Sequence, residues 1–163
     1  MIESVPYLHA ISDVVFFADT FRVCAALVQR GIRLFIATNQ SGIGRGYYSL
    51  DQYHRVATYI TDQLAANGAP ITETLFCPYH PEHGIGDYKQ DSPFRKPNPG
   101  MLLQLMTTHQ LTPDQVLMVG DSDVDIQAAK RAGVASVLVG DSHTDTEPDY
   151  RIANLTQIFH TVM

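Results

Sequence analysis

"LMVGDSDVDIQAAKRAG", residues 117–133, decides the fold. An apolar run meets a glycine, then three aspartates within five positions, then a helical pattern closed by Gly133. The run reads as a buried strand, 116–119, and the pattern behind it as a helix over 123–131. Clustered carboxylates are costly to hold together unless something cationic sits among them. The stretch therefore points to a strand, a helix and a charged site at their junction.

Outward from this unit, helices and strands alternate. Residues 20–30, "TFRVCAALVQR", have helical spacing and stop at Gly31, a natural cap. "IRLFIATN" comes next as a strand, 32–37. Ser49 and Gln52 form a capping-box pattern for a helix running to about Asn67 and ending at Gly68. "ITETLFC" is a second strand, and 78–97 a long loop with four prolines. Asn98-Pro99 opens a helix to about 109, with proline at its first position. Thr112-Pro113 gives a similar start ahead of "VLMVG". "ASVLVG" is a fourth strand and about 155–162 a last helix. Strands separated by helices predict an α/β fold: a parallel sheet with helices on both faces.

Length and composition fit one domain over 1–163, with 45% hydrophobic and 17% charged residues. The net charge of -6, without a basic run, argues against a nucleic-acid partner. Cys24 and Cys77 make no disulfide framework and suit a reducing compartment. "MIESVPYLHA" has no signal-peptide pattern, and no apolar stretch approaches the ~18 residues of a membrane span. The expectation is a cytoplasmic protein with no membrane partner; its oligomeric state is not readable.

In parallel α/β sheets ligands bind beyond the carboxyl ends of the strands. The first clear strand ends in "TNQSGIGRG", 38–46, where Thr38, Asn39, Gln40 and Ser41 offer converging donors suited to a phosphate. A plain polar turn is the alternative. "FRKPNPG" carries Arg95 and Lys96; a lysine is a compact charge suited to a transferring phosphoryl group. Asp121 offers a carboxylate of the kind that binds Mg2+. Ser122 and Asp125 support the site. Asp125 lies four residues on, spaced to reach back and hold the Lys96 ammonium. Asp123 is a helix N-cap or first-turn acid with a structural role. The alternative is that all three acids only decorate a helix start.

These motifs, in this order, resemble the haloacid dehalogenase superfamily of phosphatases. "FIATN" looks like its second motif, Lys96 its third and "VGDSDVD" its fourth. "FIATNQSGIGRG", "CPYHPE" and "FRKPNPGML" narrow the resemblance to the branch of D-glycero-D-manno-heptose 1,7-bisphosphate and histidinol phosphatases, from about Ile2 onward. The resemblance implies a Mg2+-dependent phosphomonoester hydrolase without a cap domain, acting on a small phosphorylated sugar. Thr38 and Lys96 would be catalytic, Asp121 the metal ligand, and Arg45 and Arg95 contacts to the substrate's far end.

One family feature is absent. The first motif, Asp-x-Asp-Gly, supplies the nucleophile that forms an aspartyl-phosphate, and none occurs in the 163 residues. "MIESVPYLH" resembles the family's segment immediately C-terminal to that motif. The expectation is a domain incomplete at its N-terminus, lacking a central strand between 32–37 and 116–119, with that strand and motif encoded just upstream. The chain as given would then be inactive. Asp19 in "VVFFADTF" is a poor substitute, because position 21 is Phe, and reads as the N-terminal acid of the helix behind it. Many relatives also carry zinc in the long loop. Here only Cys77 matches a ligand, with Tyr79, Ser92 and Phe94 at the others, so no zinc is expected although His80 and His83 lie close by. A pseudophosphatase that binds anions or a partner is the alternative function. A response-regulator receiver does not fit, because Thr38 and Lys96 precede Asp121.

Overall fold

The structure is a computed structural model describing residues 1–3 and 5–161. It comprises two compact units, Met1–Asp91 and Ser92–Met163.

In the first unit, helix α1 (Thr20–Gln29) buries Val23 and Cys24. Thr20 Oγ1 donates to the Met1 carbonyl at 2.6 Å, and Glu3 N donates to Val15 O, so the first residues run antiparallel to the lead-in of α1. Gly31 ends the helix at φ +80°, a left-handed cap that favours glycine. Strand β1 (Leu34–Asn39) pairs in parallel with β2 (Ile71–Cys77), Thr38 opposite Phe76 and Asn39 opposite Cys77. Between them come the short helix α2 (Ser41–Gly44) and the long α3 (Leu50–Ala66). Ser49 and Gln52 cap α3 reciprocally, at 3.1 and 2.8 Å.

The strand expected over 32–37 begins two residues later and runs two further. Ile32 N donates to Leu27 O at 3.1 Å, so this residue completes the helix cap rather than joining the ladder. The shift carries Thr38 and Asn39 into the strand. Among the described residues, apolar clusters build this unit's core. Cys24, Leu64 and Ala69 gather Phe16, Phe21, Leu34, Ile60 and Ile71. Ile43, Tyr48 and Tyr53 gather Ala57, Phe76 and Tyr88, and thereby anchor the turn after β1.

In the second unit, α4 (Gly100–His109) starts one residue after the expected Pro99, which is its N-cap. Strand β3 (Leu117–Gly120) leads into α5 (Asp123–Ala132), which returns through Gly133 to β4 (Ala135–Val139). A fifth strand, β5 (Tyr150–Ile152), was not expected; it adds in parallel to β4. Asp149 sets its start: its carboxylate accepts from Ser136 N and Ser136 Oγ, both at 2.8 Å. The last helix, expected as one piece over 155–162, is a 3-10 turn followed by α6 (Ile158–Thr161); residue 162 lies outside the described residues.

The fold class is α/β with parallel strands, as expected. The described strands form two sheets, β1–β2 and β3–β4–β5, rather than one. The long loop after β2 holds only a 3-10 turn, Gly86–Tyr88.

Candidate active site

In the second unit the acids of the β3–α5 junction have divided roles. Gly120 is glycine by contact: a Cβ there would lie 2.3 Å from Asp125 Cβ and 2.6 Å from its Oδ2. Its absence lets the Asp125 carboxylate fold back over the strand end. Oδ2 of Asp125 accepts from the backbone N–H of Asp121 and of Ser122, both at 3.3 Å, and from the Ser122 hydroxyl at 2.7 Å. Oδ1 lies 2.7 Å from Lys96 Nζ, and the two side chains are 7% and 11% exposed. A buried charge pair holds when the partner's charge and extra hydrogen bonds offset desolvation; Asp125 has both.

Asp123 faces elsewhere. Ser122, not Asp123, is the N-cap. The Asp123 carboxylate accepts from Thr146 N at 2.9 Å and from Gln127 Nε2 at 2.6 Å. The Thr146 bond first, and then the Gln127 bond, hold its carboxyl below the usual range. It ties the segment after β4 to α5. Asp121 is exposed, and among the described residues its carboxylate has no hydrogen-bond or ion-pair partner.

The loop bearing Arg95 and Lys96 is wound about Ser92. Buried Ser92 accepts at Oγ from Phe94 N, and at its carbonyl from Arg95 N and Asn98 Nδ2. Arg131 of α5 closes it, donating to Pro97 O and Asn98 Oδ1 at 3.2 Å each. So α5 grips this loop twice, through Asp125 and Arg131. The second grip is not legible in the sequence, where Arg131 is one basic residue in a last helical turn.

In the first unit, Thr38 lies on the penultimate residue of β1. Its Oγ1 accepts from Gln40 Nε2 at 3.0 Å, and Gln40 Oε1 accepts from the Tyr48 hydroxyl at 2.6 Å. Asn39 ends the strand and Ser41 opens α2, its carbonyl accepting from Arg45 N. The Arg45 guanidinium carbon sits 5.9 Å from the Tyr7 ring centroid, and among the described residues its buried Nε has no hydrogen-bond partner. Tyr48 carries no signal in the sequence. No short-range pattern marks it, because its contact with Gln40 depends on the turn through α2.

Cys77, the last residue of β2, is fully buried, and the loop follows it. His80 Nδ1 accepts from Glu82 N and His83 N, so that nitrogen shapes the turn. Among the described residues no three His, Cys, Asp or Glu side chains are grouped to hold a metal ion. No described helix is long and apolar enough to cross a membrane.

Comparison with known proteins agrees with this architecture. Residues 93–162 match the HAD-hydrolase-like family. The chain is 45% identical over 133 residues to D-glycero-alpha-D-manno-heptose-1,7-bisphosphate 7-phosphatase of Burkholderia mallei, covering 82% of this chain and 70% of that protein. It is 36% identical to the D-glycero-beta-D-manno-heptose-1,7-bisphosphate 7-phosphatase of Vibrio cholerae, over 91% of this chain and 81% of that protein. Among solved structures, a HAD-like phosphatase from Mesorhizobium loti superposes with a TM-score of 0.86 at 30% identity, over 98% of this chain and 78% of that one. The D,D-heptose 1,7-bisphosphate phosphatase of B. bronchiseptica, complexed with magnesium and phosphate, gives 0.80 at 25% identity, over 97% and 89%.

The chain belongs to the haloacid dehalogenase-like hydrolases, a family of phosphatases. Within that family, the Burkholderia mallei and Vibrio cholerae relatives and the B. bronchiseptica structure are heptose-bisphosphate phosphatases.

Proposed function

We propose that this chain carries the phosphoryl-binding and charge-neutralising half of a Mg2+-dependent phosphomonoester hydrolase acting on D-glycero-D-manno-heptose 1,7-bisphosphate at its 7-phosphate. The observation that carries the reading is the buried Lys96–Asp125 pair beside the unengaged Asp121 carboxylate. Asp125 holds the Lys96 ammonium in place, so it neutralises a phosphoryl oxygen without reorganising. Thr38, with Asn39, Gln40 and Ser41, offers hydrogen-bond donors suited to a phosphoryl group. Arg45 and Arg95 meet the substrate's second phosphate or hydroxyls.

Asp121 fits Mg2+ as one hard oxygen ligand, held in place through its backbone N–H. Bound there, the ion would offset charge on the transferring group. In this reading, the aspartyl nucleophile and the acid–base aspartate belong to an Asp-x-Asp-Gly motif that these 163 residues do not contain. They form one hydrolase domain whose central strand is supplied from outside them, and alone they do not turn over substrate. The substrate is small and soluble, the setting cytoplasmic, and neither zinc, nucleic acid nor a membrane takes part.

The test is phosphate release from the heptose bisphosphate and from histidinol phosphate, by the chain extended with an apolar strand ending in Asp-x-Asp-Gly. Mg2+-dependent release favouring the heptose, abolished in Lys96→Ala, supports the proposal. Equal or faster release from histidinol phosphate would reassign the substrate. The missing motif also favours a second reading, an anion-binding pseudophosphatase. Phosphate binding with no turnover by the extended chain would select it.

A further inference from the structure

The turn after β1 contains a chain of three polar groups that phosphate binding by Thr38 leaves unexplained. The Tyr48 hydroxyl donates to Gln40 Oε1 at 2.6 Å, and Gln40 Nε2 donates to Thr38 Oγ1 at 3.0 Å. A carboxamide has one acceptor end and one donor end. Fixing its oxygen on Tyr48 turns its N–H2 toward Thr38. A hydroxyl that accepts from an N–H has its own hydrogen left to give elsewhere. Phosphoryl oxygens are acceptors, so a threonine that binds them must donate, and the relay runs in the direction that lets it.

Tyr48 is itself held firmly. It is 5% exposed, in a cluster with Ile43 and Tyr53. Its ring lies over Gly42, where a Cβ would come 2.1 Å from Cε1, and it stacks on His9 with centroids 5.6 Å apart. Burial first, and then the neighbouring Tyr7, raise its hydroxyl to about 12, so it remains a donor at any ordinary pH. Gln40 is fixed at the other end by its backbone N–H, which donates to Cys77 O at 2.7 Å.

We propose that Tyr48 is a positioning residue for the phosphoryl site: it orients the Gln40 carboxamide so that Thr38 directs its hydroxyl hydrogen at the substrate phosphate. The inference rests on the reading of Thr38 as a phosphate donor.

The test is a double-mutant cycle on the 163-residue chain, read as inorganic phosphate affinity in the presence of Mg2+ by amide chemical shifts of the 38–46 turn. Tyr48→Phe keeps the ring and removes only the hydroxyl. It should weaken phosphate binding about three- to tenfold, the worth of one hydrogen bond. Thr38→Val should weaken binding at least as much, and adding Tyr48→Phe to it should have no further effect. A merely structural role would weaken both backgrounds equally, and that result overturns the proposal. So does wild-type affinity in Tyr48→Phe while Thr38→Val is impaired. Wild-type affinity in Thr38→Val, or no phosphate binding by the unmodified chain, would instead remove the reading of Thr38 itself, and the relay with it. Gln40→Met breaks the relay without touching the ring. It should reproduce the Tyr48→Phe loss, and its failure to do so counts against the proposal even if Tyr48→Phe folds poorly.

Discussion

Lys96 Nζ lies 2.7 Å from Asp125 Oδ1, with both side chains almost wholly buried. The three other hydrogen bonds to Asp125 all land on its second oxygen, so one oxygen serves the strand end and the other serves the lysine. Asp125→Ala leaves a buried ammonium uncompensated. It should cost about 3–5 kcal/mol of unfolding free energy, read by denaturant titration. Asp125→Asn keeps the acceptor for Ser122 and should cost less. Equal and small losses for both would show that the pair carries no structural weight.

Gly120→Ala should destabilise the chain by roughly 1–3 kcal/mol, because the new methyl must displace the Asp125 side chain. The Lys96 Nζ resonance should shift with it. Gly133, also glycine, has open space around its missing Cβ and suffers only from its positive φ. Its alanine variant should leave Lys96 unperturbed.

The Ser136 side chain first, and then its backbone N–H, hold the Asp149 carboxyl below its ordinary 3.8. A depressed carboxyl contributes stability that is full above the ordinary value and lost as pH falls through the lower folded value. The chain should therefore lose stability as pH drops below about 3.8. Ser136→Ala should flatten part of that loss, as followed by thermal melts across the range. An unchanged slope in the variant would sever the link to Asp149.

The purified chain should contain far less than one zinc by elemental analysis. His80 Nδ1 is spent on the backbone of residues 82 and 83, and Ser92 and Phe94 offer no thiolate. About one zinc per chain would point to Cys77 with His80 and His83.

What the sequence discloses depends on the range of the interaction. Ser49 and Gln52 lie three apart, and their reciprocal cap is a local pattern. The Lys96–Asp125 contact was also legible, because the fourth residue after a strand-end aspartate points back over that end. β1 was misplaced by two residues because the cap of α1 consumed Ile32, an apolar residue indistinguishable from a strand start. β5 was invisible because three residues, Tyr150–Ile152, show no periodicity, and Asp149 positions them through Ser136, thirteen residues earlier. The Tyr48–Gln40–Thr38 relay was hidden for the same reason: a turn, not a spacing, brings it together.

Under the proposed function, Lys96 and Asp121 serve a phosphoryl-transfer site whose nucleophile lies outside these residues. The most direct test is phosphate release from heptose 1,7-bisphosphate with Mg2+, comparing the 163-residue chain with the chain extended by a strand ending in Asp-x-Asp-Gly. No release is expected from the first and release from the second, lost when the first Asp of the added motif is changed to Asn and lost in Asp121→Ala. Turnover by the 163 residues alone, abolished by Asp19→Asn, would contradict that function, as would an extended, folded chain indifferent to Asp121.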